Sequence, residues 1–279
     1  MIELRGKPVA EKLDKDSTGL MAEYGVIPVL AILRVGQRSD DLAYERGIMR
    51  RFDNAGARVV VKELPEDVSQ EDFDKVFDEL NEDPGINAIL VMRPLPKTLS
   101  IDHAKDTIDP GKDVDLMNPA HMSGILEGKK DAYAPCTAAA VIEILDYYGI
   151  DTTGKKAAVI GRSLVIGKPV SLLLINRNAT VTVCHTKTVN TESICKDADI
   201  IVTAAGRAGI LTADFVRPGQ VVIDVGMNVD DDGNLVGDAV YGDVAGIAEA
   251  ITPVPGGVGA VTTSILLKYT TENSVRMKK

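Results

Sequence analysis

Short runs of Val, Ile and Leu recur along the chain and alternate with longer segments of mixed polar and apolar residues. The runs cover residues 27–35, 58–64, 86–91, 156–160, 180–184, 198–204 and 220–225. Each run is nearly continuous in apolar residues, which is typical of strands covered on both faces of a parallel sheet. The pattern therefore predicts buried strands at these places.

The segments between the runs have helical spacing, and residues 137–148 display it most clearly. Apolar side chains recur there at i, i+3, i+4 and i+7, namely at Val141, Ile144, Leu145 and Tyr148. Thr137 is placed to cap the start of this helix, and Gly149 is placed to end it. Strand and helix thus alternate along most of the chain, which predicts an α/β fold made of right-handed βαβ units.

A new strand and a glycine turn begin near residue 154, and the length of the chain also favours two domains over one. We predict a first βαβ domain at residues 1–138 and a second at residues 139–259. The second has the order of elements of a Rossmann-type NAD(P)-binding domain. Residues 260–279 are predicted to form a helical segment that joins the first domain.

The composition and net charge of the chain argue against several kinds of binding partner. The 279 residues carry 31 Lys and Arg against 41 Asp and Glu, a formal charge of −10, which argues against nucleic acid as a partner. Three His and three Cys residues, without a Cys-x-x-Cys pair, give no basis for a metal site or a disulfide framework. No apolar run approaches about 18 residues, and the first residues lack the order of a secretory signal. We expect a cytoplasmic protein that does not enter membranes.

A candidate phosphate-binding turn follows the strand at 156–160. Gly161, Arg162, Ser163 and Gly167 lie between this strand and a predicted helix, with the spacing G-x-S-x-x-x-G. Gly161 allows a sharp turn, and the N-terminus of the helix suits a pyrophosphate. Taken alone, the same spacing also fits a strand-to-helix turn with a purely structural role.

The end of the next strand bears on the choice of cofactor. An enzyme that uses NAD usually has Asp or Glu there to bind the ribose hydroxyls, but this strand is followed by His185, Thr186 and Lys187. Thr186 and Lys187, together with Arg162, suit a 2′-phosphate, so NADP is predicted in preference to NAD. The alternative is that Lys187 and Arg162 are solvated surface charges. Gly206, after the strand at 198–204, is a further candidate cofactor contact.

Seven sequence phrases, in order along the chain, resemble the methylenetetrahydrofolate dehydrogenase/methenyltetrahydrofolate cyclohydrolase family. They are VMRPLPK at 91–97, KDVD at 112–115, PCT at 135–137, GRS at 161–163, NATVT at 178–182, DVG at 224–226 and ITPVPGGVG at 251–259. The resemblance implies a folate-binding N-terminal domain, a Rossmann-type NADP domain, a cleft between them and a homodimer. It also implies tetrahydrofolate derivatives as substrates and a role in one-carbon metabolism.

The resemblance assigns roles to residues of the first domain. Tyr44 matches the family tyrosine that stacks on the folate, and Asp115 matches the carboxylate that binds the pterin. The catalytic lysine of the family, four residues after the tyrosine, is replaced by Ile48, and its partner glutamine is replaced by Met92. The glycine that usually follows the carboxylate is Leu116. In the second domain, the resemblance and the glycines favour Pro255, Gly256 and Gly257 as contacts to folate and nicotinamide.

The two replacements affect the two reactions of the family differently. Hydride transfer from the methylene group needs mostly positioning, which Tyr44 and Asp115 could supply. Opening the methenyl ring with water needs a proton-transfer group, worth about 10² to 10⁴ in rate, and neither Ile48 nor Met92 can transfer a proton. We therefore expect a dehydrogenase whose cyclohydrolase activity is lost or impaired. The alternatives are a bifunctional enzyme with a substitute residue, a non-catalytic folate or nucleotide binder, and an enzyme with another substrate.

Other residues could act in place of the missing lysine. Arg46, Arg50, Arg51 and Arg93 stay protonated and make poor bases, and we expect Arg50 and Arg51 on the solvated face of their helix. Asp41 could serve as a new base, but a role at the start of the helix is favoured. A reactive thiolate at Cys136 is disfavoured against a small buried residue.

Overall fold

The computed structural model describes residues 1–129 and 131–279. The strands are β1 (Ile2–Glu3), β2 (Val29–Val35), β3 (Arg58–Leu64), β4 (Ala88–Val91), β5 (Lys156–Ile160), β6 (Thr180–Cys184), β7 (Ile200–Thr203), β8 (Val221–Asp224), β9 (Asn228–Val229), β10 (Leu235–Val236) and β11 (Ala250–Ile251). The helices are α1 (Gly6–Tyr24), α2 (Ser39–Ala55), α3 (Gln70–Glu82), α4 (Asp102–Thr107), α5 (Pro119–Leu126), α6 (Cys136–Tyr147), α7 (Gly167–Asn176), α8 (Thr191–Asp197), α9 (Tyr241–Ala245) and α10 (Thr262–Lys278). Short 3₁₀ helices lie at Ala213–Phe215 and Val258–Ala260.

The chain forms two compact units. The three-stranded unit consists mainly of Lys12–Gly124 and Thr263–Lys279, and the six-stranded unit consists mainly of Met1–Glu11 and Ala134–Thr262. The first eleven residues depart from the predicted boundaries, which assigned them to the first domain. The reason is that β1 pairs in parallel with β11 in the six-stranded sheet, so that Ile2 lies opposite Ala250.

The three-stranded unit contains a parallel sheet with the order β3-β2-β4. The central strand β2 is almost wholly buried, which accounts for its continuous apolar sequence. Phe73 and Phe77 of α3 are fully buried and pack in one cluster with Leu33 and Ile89 of the sheet. Because all three strands run in parallel, the turns that follow β2 and β4 lie at the same edge of the sheet.

The six-stranded unit contains a parallel sheet with the order β1-β11-β8-β7-β5-β6. Strand β5 lies between β6 and β7, so the chain passes to one side of β5 and then returns to the other. This reversal is the topological switch point of a doubly wound fold, where ligands bind outside the carboxyl ends of the strands. The predicted α/β class and the Rossmann-type second domain are confirmed.

Helix α6 agrees with the predicted helix in extent but not in its cap. It begins at Cys136, with Pro135 in the N-cap position and no side-chain hydrogen bond there. The predicted capping role of Thr137 is therefore wrong, because Pro135 has already turned the chain into the helix and Thr137 lies in its first turn. Gly149 follows the helix with a positive φ of 67°, a conformation that favours glycine.

Candidate functional site

The turn after β5 requires glycine at two positions. Gly161 has a φ of 130°, and a methyl group on it would overlap the carbonyl oxygen of Ala204 in the neighbouring loop. A methyl group on Gly167 would overlap the carbonyl oxygen of Gly161. The backbones of the turn, the start of α7 and the loop after β7 thus lie within direct contact of one another. A tight turn and close packing of the helix against the strand ends are typical of the phosphate-binding turn in dinucleotide-binding folds.

Ser163 shapes the entry into α7. Its hydroxyl oxygen accepts hydrogen bonds from the backbone N–H groups of Ile166 at 3.1 Å and Gly167 at 3.4 Å. The carbonyl oxygen of Ser163 accepts from the N–H of Lys168 at 3.0 Å. The side chains of Ser163 and Arg162 remain exposed, so Arg162 extends from a turn whose backbone is held by the serine.

The turn after β6 lies beside the glycine turn. The backbone N–H of Gly161 donates to the carbonyl oxygen of Cys184 at 2.9 Å, which joins the ends of the two strands. His185 holds this second turn, since its Nδ1 accepts from the N–H of Lys187 at 3.1 Å. The side chains of Thr186 and Lys187 are exposed. Arg162 and Lys187 therefore extend from neighbouring turns at one edge of the sheet.

The loop after β7 is held by a residue that the sequence reasoning missed. The carboxylate of Asp238, which has no exposed surface, accepts hydrogen bonds from three successive backbone N–H groups: Ala205 at 2.6 Å, Gly206 at 3.2 Å and Arg207 at 2.9 Å. The hydroxyl of Thr203 also donates to it, at 3.1 Å. The conformation of the loop that contains Gly206 is thus determined by a carboxylate.

Asp238 is in turn held by a second buried carboxylate. Asp224 accepts hydrogen bonds from the backbone N–H groups of Gly226 at 2.9 Å, Asp238 at 3.0 Å and Ala239 at 2.9 Å. Burial raises the pKa of Asp224 despite these hydrogen bonds. A methyl group on Gly226 would overlap the carboxylate of Asp238, and one on Gly237 would overlap that of Asp224. In the sequence, this arrangement could have been recognised from the Asp and Gly residues that lie close together in the segments 224–226 and 237–238.

Backbone geometry also requires glycine at two positions in the loop after β11. Gly256 has a φ of 103°, and its carbonyl oxygen accepts from the N–H of Gly6 at 2.8 Å. A methyl group on Gly257 would overlap the carbonyl oxygen of Pro253. Pro255 and Gly256 are exposed, whereas Gly257 is buried. Of the three predicted substrate contacts in this loop, the first two present surface that a ligand can reach.

In the three-stranded unit, α2 carries Tyr44 and Ile48. Tyr44 is 39% exposed, whereas Ile48 is wholly buried and Met92, directly after β4, is 5% exposed. The residues at the family's lysine and glutamine positions therefore belong to the apolar interior of this unit. Tyr44, unlike Ile48, therefore presents a side chain that a ligand can reach.

A buried ion pair holds α2 against the sheet, and the sequence reasoning did not anticipate it. Arg34 of β2 is 3% exposed, and its Nε donates to Oε2 of Glu45 at 2.8 Å while Nη2 donates to Oε2 of Glu63 at 3.0 Å. Glu45 directly follows Tyr44 in the helix. The ion pair thus determines which face of α2 turns inward.

Asp115 lies beside the carboxyl end of β4. Asp113 forms a parallel bridge with Ile89 of β4, so Asp115 is level with the end of that strand. The guanidinium of Arg93 donates to the carboxylate of Asp115. Burial raises the pKa of Asp115 to about 6, although the charge of Arg93 lowers it. Leu116, where the family has glycine, has a φ of 52°, a strained conformation for a branched side chain.

Asp41, Arg50 and Arg51 are other candidate residues on α2, and they differ in exposure and in their contacts. Asp41 lies in the first turn of α2 and forms an ion pair with Arg38 at 3.9 Å. Arg50 is exposed, but the expectation of a solvated Arg51 is wrong. Its guanidinium donates to the carboxylate of Asp14 and to Thr263 and Ser264, because α10 lies next to it.

Cys136 is half-buried at the start of α6.

Among residues 1–129 and 131–279, no helix is both long enough and apolar enough to cross a membrane.

The doubly wound sheet and the glycine turn at its switch point define an α/β protein of the dinucleotide-binding class. Residues 4–115 match the family model "Tetrahydrofolate dehydrogenase/cyclohydrolase, catalytic domain", and residues 135–278 match the NAD(P)-binding domain of the same family. The chain therefore belongs to the tetrahydrofolate dehydrogenase/cyclohydrolase family, and the resemblance seen in the sequence is confirmed.

Relatives and solved structures agree with this assignment. The "Bifunctional protein FolD" of Clostridioides difficile strain 630 is 48% identical over 269 residues, which are 95% of this chain and 94% of that protein. The crystal structure of the bifunctional enzyme FolD from Campylobacter jejuni has a TM-score of 0.94 at 33% identity and covers 98% of each chain. The FolD structure from Trypanosoma brucei, complexed with NADP and an inhibitor, has a TM-score of 0.87 at 35% identity and covers 99% of this chain and 97% of that one.

Proposed function

We propose that the chain oxidises 5,10-methylenetetrahydrofolate with NADP⁺ and also hydrolyses the resulting 5,10-methenyltetrahydrofolate. The matches to both domains of the family over most of the chain support this proposal. The observation that carries the NADP-dependent part is the pair of neighbouring turns after β5 and β6, which combine two obligatory glycines with exposed basic side chains.

The residues of the six-stranded unit fit an NADP cofactor. The contact of Gly161 and Gly167 with neighbouring backbone leaves no room for side chains, as a phosphate-binding turn requires. Arg162, Thr186 and Lys187 would bind the 2′-phosphate, since no carboxylate lies at the end of β6 to bind a free ribose hydroxyl. When bound, the cofactor accepts the hydride.

The residues of the three-stranded unit would bind and orient the folate. Tyr44 offers an exposed ring for stacking, and Asp115 offers a carboxylate for the amino and ring N–H groups of the pterin. During oxidation a nitrogen lone pair of the substrate assists departure of the hydride from the bridging carbon. This step needs placement of the substrate rather than a proton donor.

The comparisons favour the bifunctional alternative over the expected loss of cyclohydrolase activity, because the curated relatives at 45–49% identity carry the name "Bifunctional protein FolD". A second candidate function remains a dehydrogenase without cyclohydrolase activity. The burial of Ile48 and Met92 favours that candidate, since neither can exchange a proton with substrate or water.

Two assays separate the candidates. Purified chain is first mixed with 5,10-methylenetetrahydrofolate and either NADP⁺ or NAD⁺, and formation of the reduced cofactor is followed. It is then mixed with 5,10-methenyltetrahydrofolate alone, and its loss is compared with a protein-free blank. We expect reduction of NADP⁺ in preference to NAD⁺ and hydrolysis faster than the blank. Hydrolysis at the blank rate would support the monofunctional candidate, and no reduction of either cofactor would contradict the proposal.

From the family resemblance we also propose a cytoplasmic homodimer. Light scattering of the purified chain measures its mass in solution, which should be twice the 29.8 kDa of one chain. A mass equal to that of one chain at assay concentration would contradict this assignment.

A further inference from the structure

His185 is the first residue after β6, at the place where dinucleotide-binding proteins bind the ribose of the adenosine half. In the register of the sheet, Ile160 lies opposite Cys184, so Gly161 and His185 are the residues that directly follow the two paired strands. The backbone N–H of Gly161 donates to the carbonyl oxygen of Cys184 at 2.9 Å. His185 therefore adjoins the glycine turn directly.

Three hydrogen bonds close the turn that begins at His185. The N–H of His185 donates to Oγ1 of Thr188 at 2.9 Å, and the N–H of Thr188 donates to the carbonyl oxygen of His185 at 2.8 Å. The N–H of Lys187 donates to Nδ1 of His185 at 3.1 Å. The exposed side chains of Thr186 and Lys187 thus extend from a turn whose backbone is fixed in part by the imidazole ring.

The third of these hydrogen bonds determines which ring nitrogen of His185 carries hydrogen. Nδ1 accepts a hydrogen bond and therefore carries no proton, so the other nitrogen, Nε2, is the N–H donor of the neutral ring. Within residues 1–129 and 131–279, Nε2 of His185 has no hydrogen-bond partner. The ring is half-buried, and Nε2 keeps contact with solvent. A ligand at this edge of the sheet can therefore reach an unpaired donor.

An unpaired donor at this position favours a phosphate over a free ribose hydroxyl. A carboxylate here would accept hydrogen bonds from the ribose hydroxyls, as in enzymes that use NAD. An N–H donor instead gains most from an anionic oxygen, because hydrogen bonds to charged groups are about twice as strong as those between neutral groups. Arg162 and Lys187 extend from the same two turns, and their charges attract the same anion.

We propose that His185 determines the preference for NADP⁺ over NAD⁺, because its Nε2 donates a hydrogen bond to the 2′-phosphate while its Nδ1 holds the backbone of Lys187. This role rests on the proposed use of NADP⁺ and adds a directional contact to the attraction between charges. The same ring keeps Thr186 and Lys187 in the turn from which they meet the phosphate. His185 thus lies where an acidic residue would select NAD⁺, and its hydrogen-bonding character is the opposite.

Isothermal titration calorimetry tests this role with the purified chain. It measures Kd for NADP⁺, for NAD⁺ and for adenosine 2′,5′-bisphosphate, which has the 2′-phosphate but no nicotinamide. The variants are His185→Asn, His185→Asp and His185→Ala. The side chains of Asn and Asp keep an oxygen that accepts the N–H of Lys187, as they do in Asx turns, but neither extends as far as Nε2. Ala removes both contacts.

His103→Asn is the control. It replaces another histidine of the chain, whose Nε2 lies 2.8 Å from Oδ1 of Asp78 in the three-stranded unit. This variant should bind all three ligands as the wild-type chain does.

His185→Asn should raise Kd for NADP⁺ and for adenosine 2′,5′-bisphosphate by about 10- to 100-fold, because one hydrogen bond to a charged group is lost. Its Kd for NAD⁺ should stay nearly unchanged, which also shows that the variant is folded. His185→Ala should raise Kd for NADP⁺ further, since the turn loses its third hydrogen bond. His185→Asp should reverse the preference, because its carboxylate accepts from the ribose hydroxyls and repels the phosphate.

The results that would overturn the proposal are distinct. A wild-type Kd for NADP⁺ in His185→Asn would show that His185 does no more than hold its turn. Equal rises of Kd for NADP⁺ and NAD⁺ in this variant would place the contact on the part that both cofactors share. A His185→Asp chain that still prefers NADP⁺, or an equal loss in His103→Asn, would also contradict the role of His185. If the wild-type chain binds NADP⁺ no more tightly than NAD⁺, the proposed cofactor preference has itself failed, and the role of His185 fails with it.

Discussion

Replacing Asp238 with Asn removes the charge that determines the conformation of the loop after β7. One carboxylate oxygen accepts from the Thr203 hydroxyl and from the N–H groups of Ala205 and Gly206. The other accepts from the N–H of Arg207 at 2.9 Å and from Nδ2 of Asn228 at 3.0 Å. An amide has one accepting oxygen, so Asn can satisfy the first group of donors but presents its own NH₂ group to the second.

The size of the effect follows from these contacts. Two hydrogen bonds to a charged acceptor are lost, each worth about 1.5–3 kcal/mol, and two donors lose their partner. Removal of the negative charge next to Asp224 offsets part of this loss, because the charge of Asp238 contributes to raising the pKa of Asp224. We expect the free energy of unfolding to fall by about 2–4 kcal/mol, which leaves a protein of ordinary stability folded.

Urea denaturation and steady-state kinetics check this prediction. The loosened loop should raise KM for NADP⁺ about tenfold, the equivalent of about 1.4 kcal/mol of binding free energy, with a smaller change in kcat. Asp230→Asn is the control, since Asp230 also accepts backbone hydrogen bonds, from Asp232 at 3.0 Å and Asn234 at 2.7 Å, but in the turn between β9 and β10. Wild-type stability and KM in Asp238→Asn would refute the role assigned to this carboxylate, as would an equal rise of KM in the control.

Three further predictions concern the charges of both units. Replacing both Arg162 and Lys187 with Ser should raise KM for NADP⁺ about 10²-fold, because two charged hydrogen bonds are lost. KM for NAD⁺ should stay nearly unchanged. Equal effects on both cofactors in steady-state assays would contradict this prediction. Arg34→Met should lower the free energy of unfolding by about 3–5 kcal/mol, because the Glu45 carboxylate is left buried and unpaired. In urea denaturation, the double variant that also carries Glu45→Leu should recover most of this loss. Additive losses in the double variant would contradict the prediction. Burial raises the pKa of Asp115 to about 6, above the unfolded value of about 3.9. The folded chain therefore binds this proton first as pH falls, so Asp115 contributes up to about 3 kcal/mol to the free energy of unfolding below about pH 4, and this contribution is lost as pH rises from about 4 to 6. Asp115→Asn should lack this decrease, and parallel pH profiles for the two proteins would show the assignment to be wrong.

The strands and the glycine turn could be predicted from the sequence because their signals are local. A continuous apolar run such as 156–160 followed by Gly161 identifies its own strand and turn within a few residues. The two-residue strand β1 could not be found in this way. Its partner is β11, nearly 250 residues later in the chain, and two residues carry no periodicity.

The residues that the sequence reasoning missed are charged residues whose partners are distant in the chain. Glu45 lies on a helix rich in charged residues and would be taken for a surface residue until Arg34 is found beneath it. Asp238 follows a short hairpin and reads as a turn residue, yet it binds the N–H groups of a loop more than 30 residues earlier. A buried carboxylate is tolerated only where its partners are already in place, so its role depends on the tertiary structure.

The ion pair of Arg34 and Glu45 also bears on how α2 accommodates an isoleucine in place of the family's lysine. Glu45 and Ile48 are three residues apart and both are buried, so they occupy the same inward face of the helix. With α2 anchored by an ion pair, residue 48 is not needed to hold a polar contact to the strand end, and Met92 leaves no polar partner behind. Replacing both members of a polar pair with apolar residues is close to neutral for stability, whereas replacing one is not. The fold thus has no stability reason to retain the lysine, and the ion pair of Arg93 and Asp115 is among the charged groups at the edge of the sheet where a folate would bind.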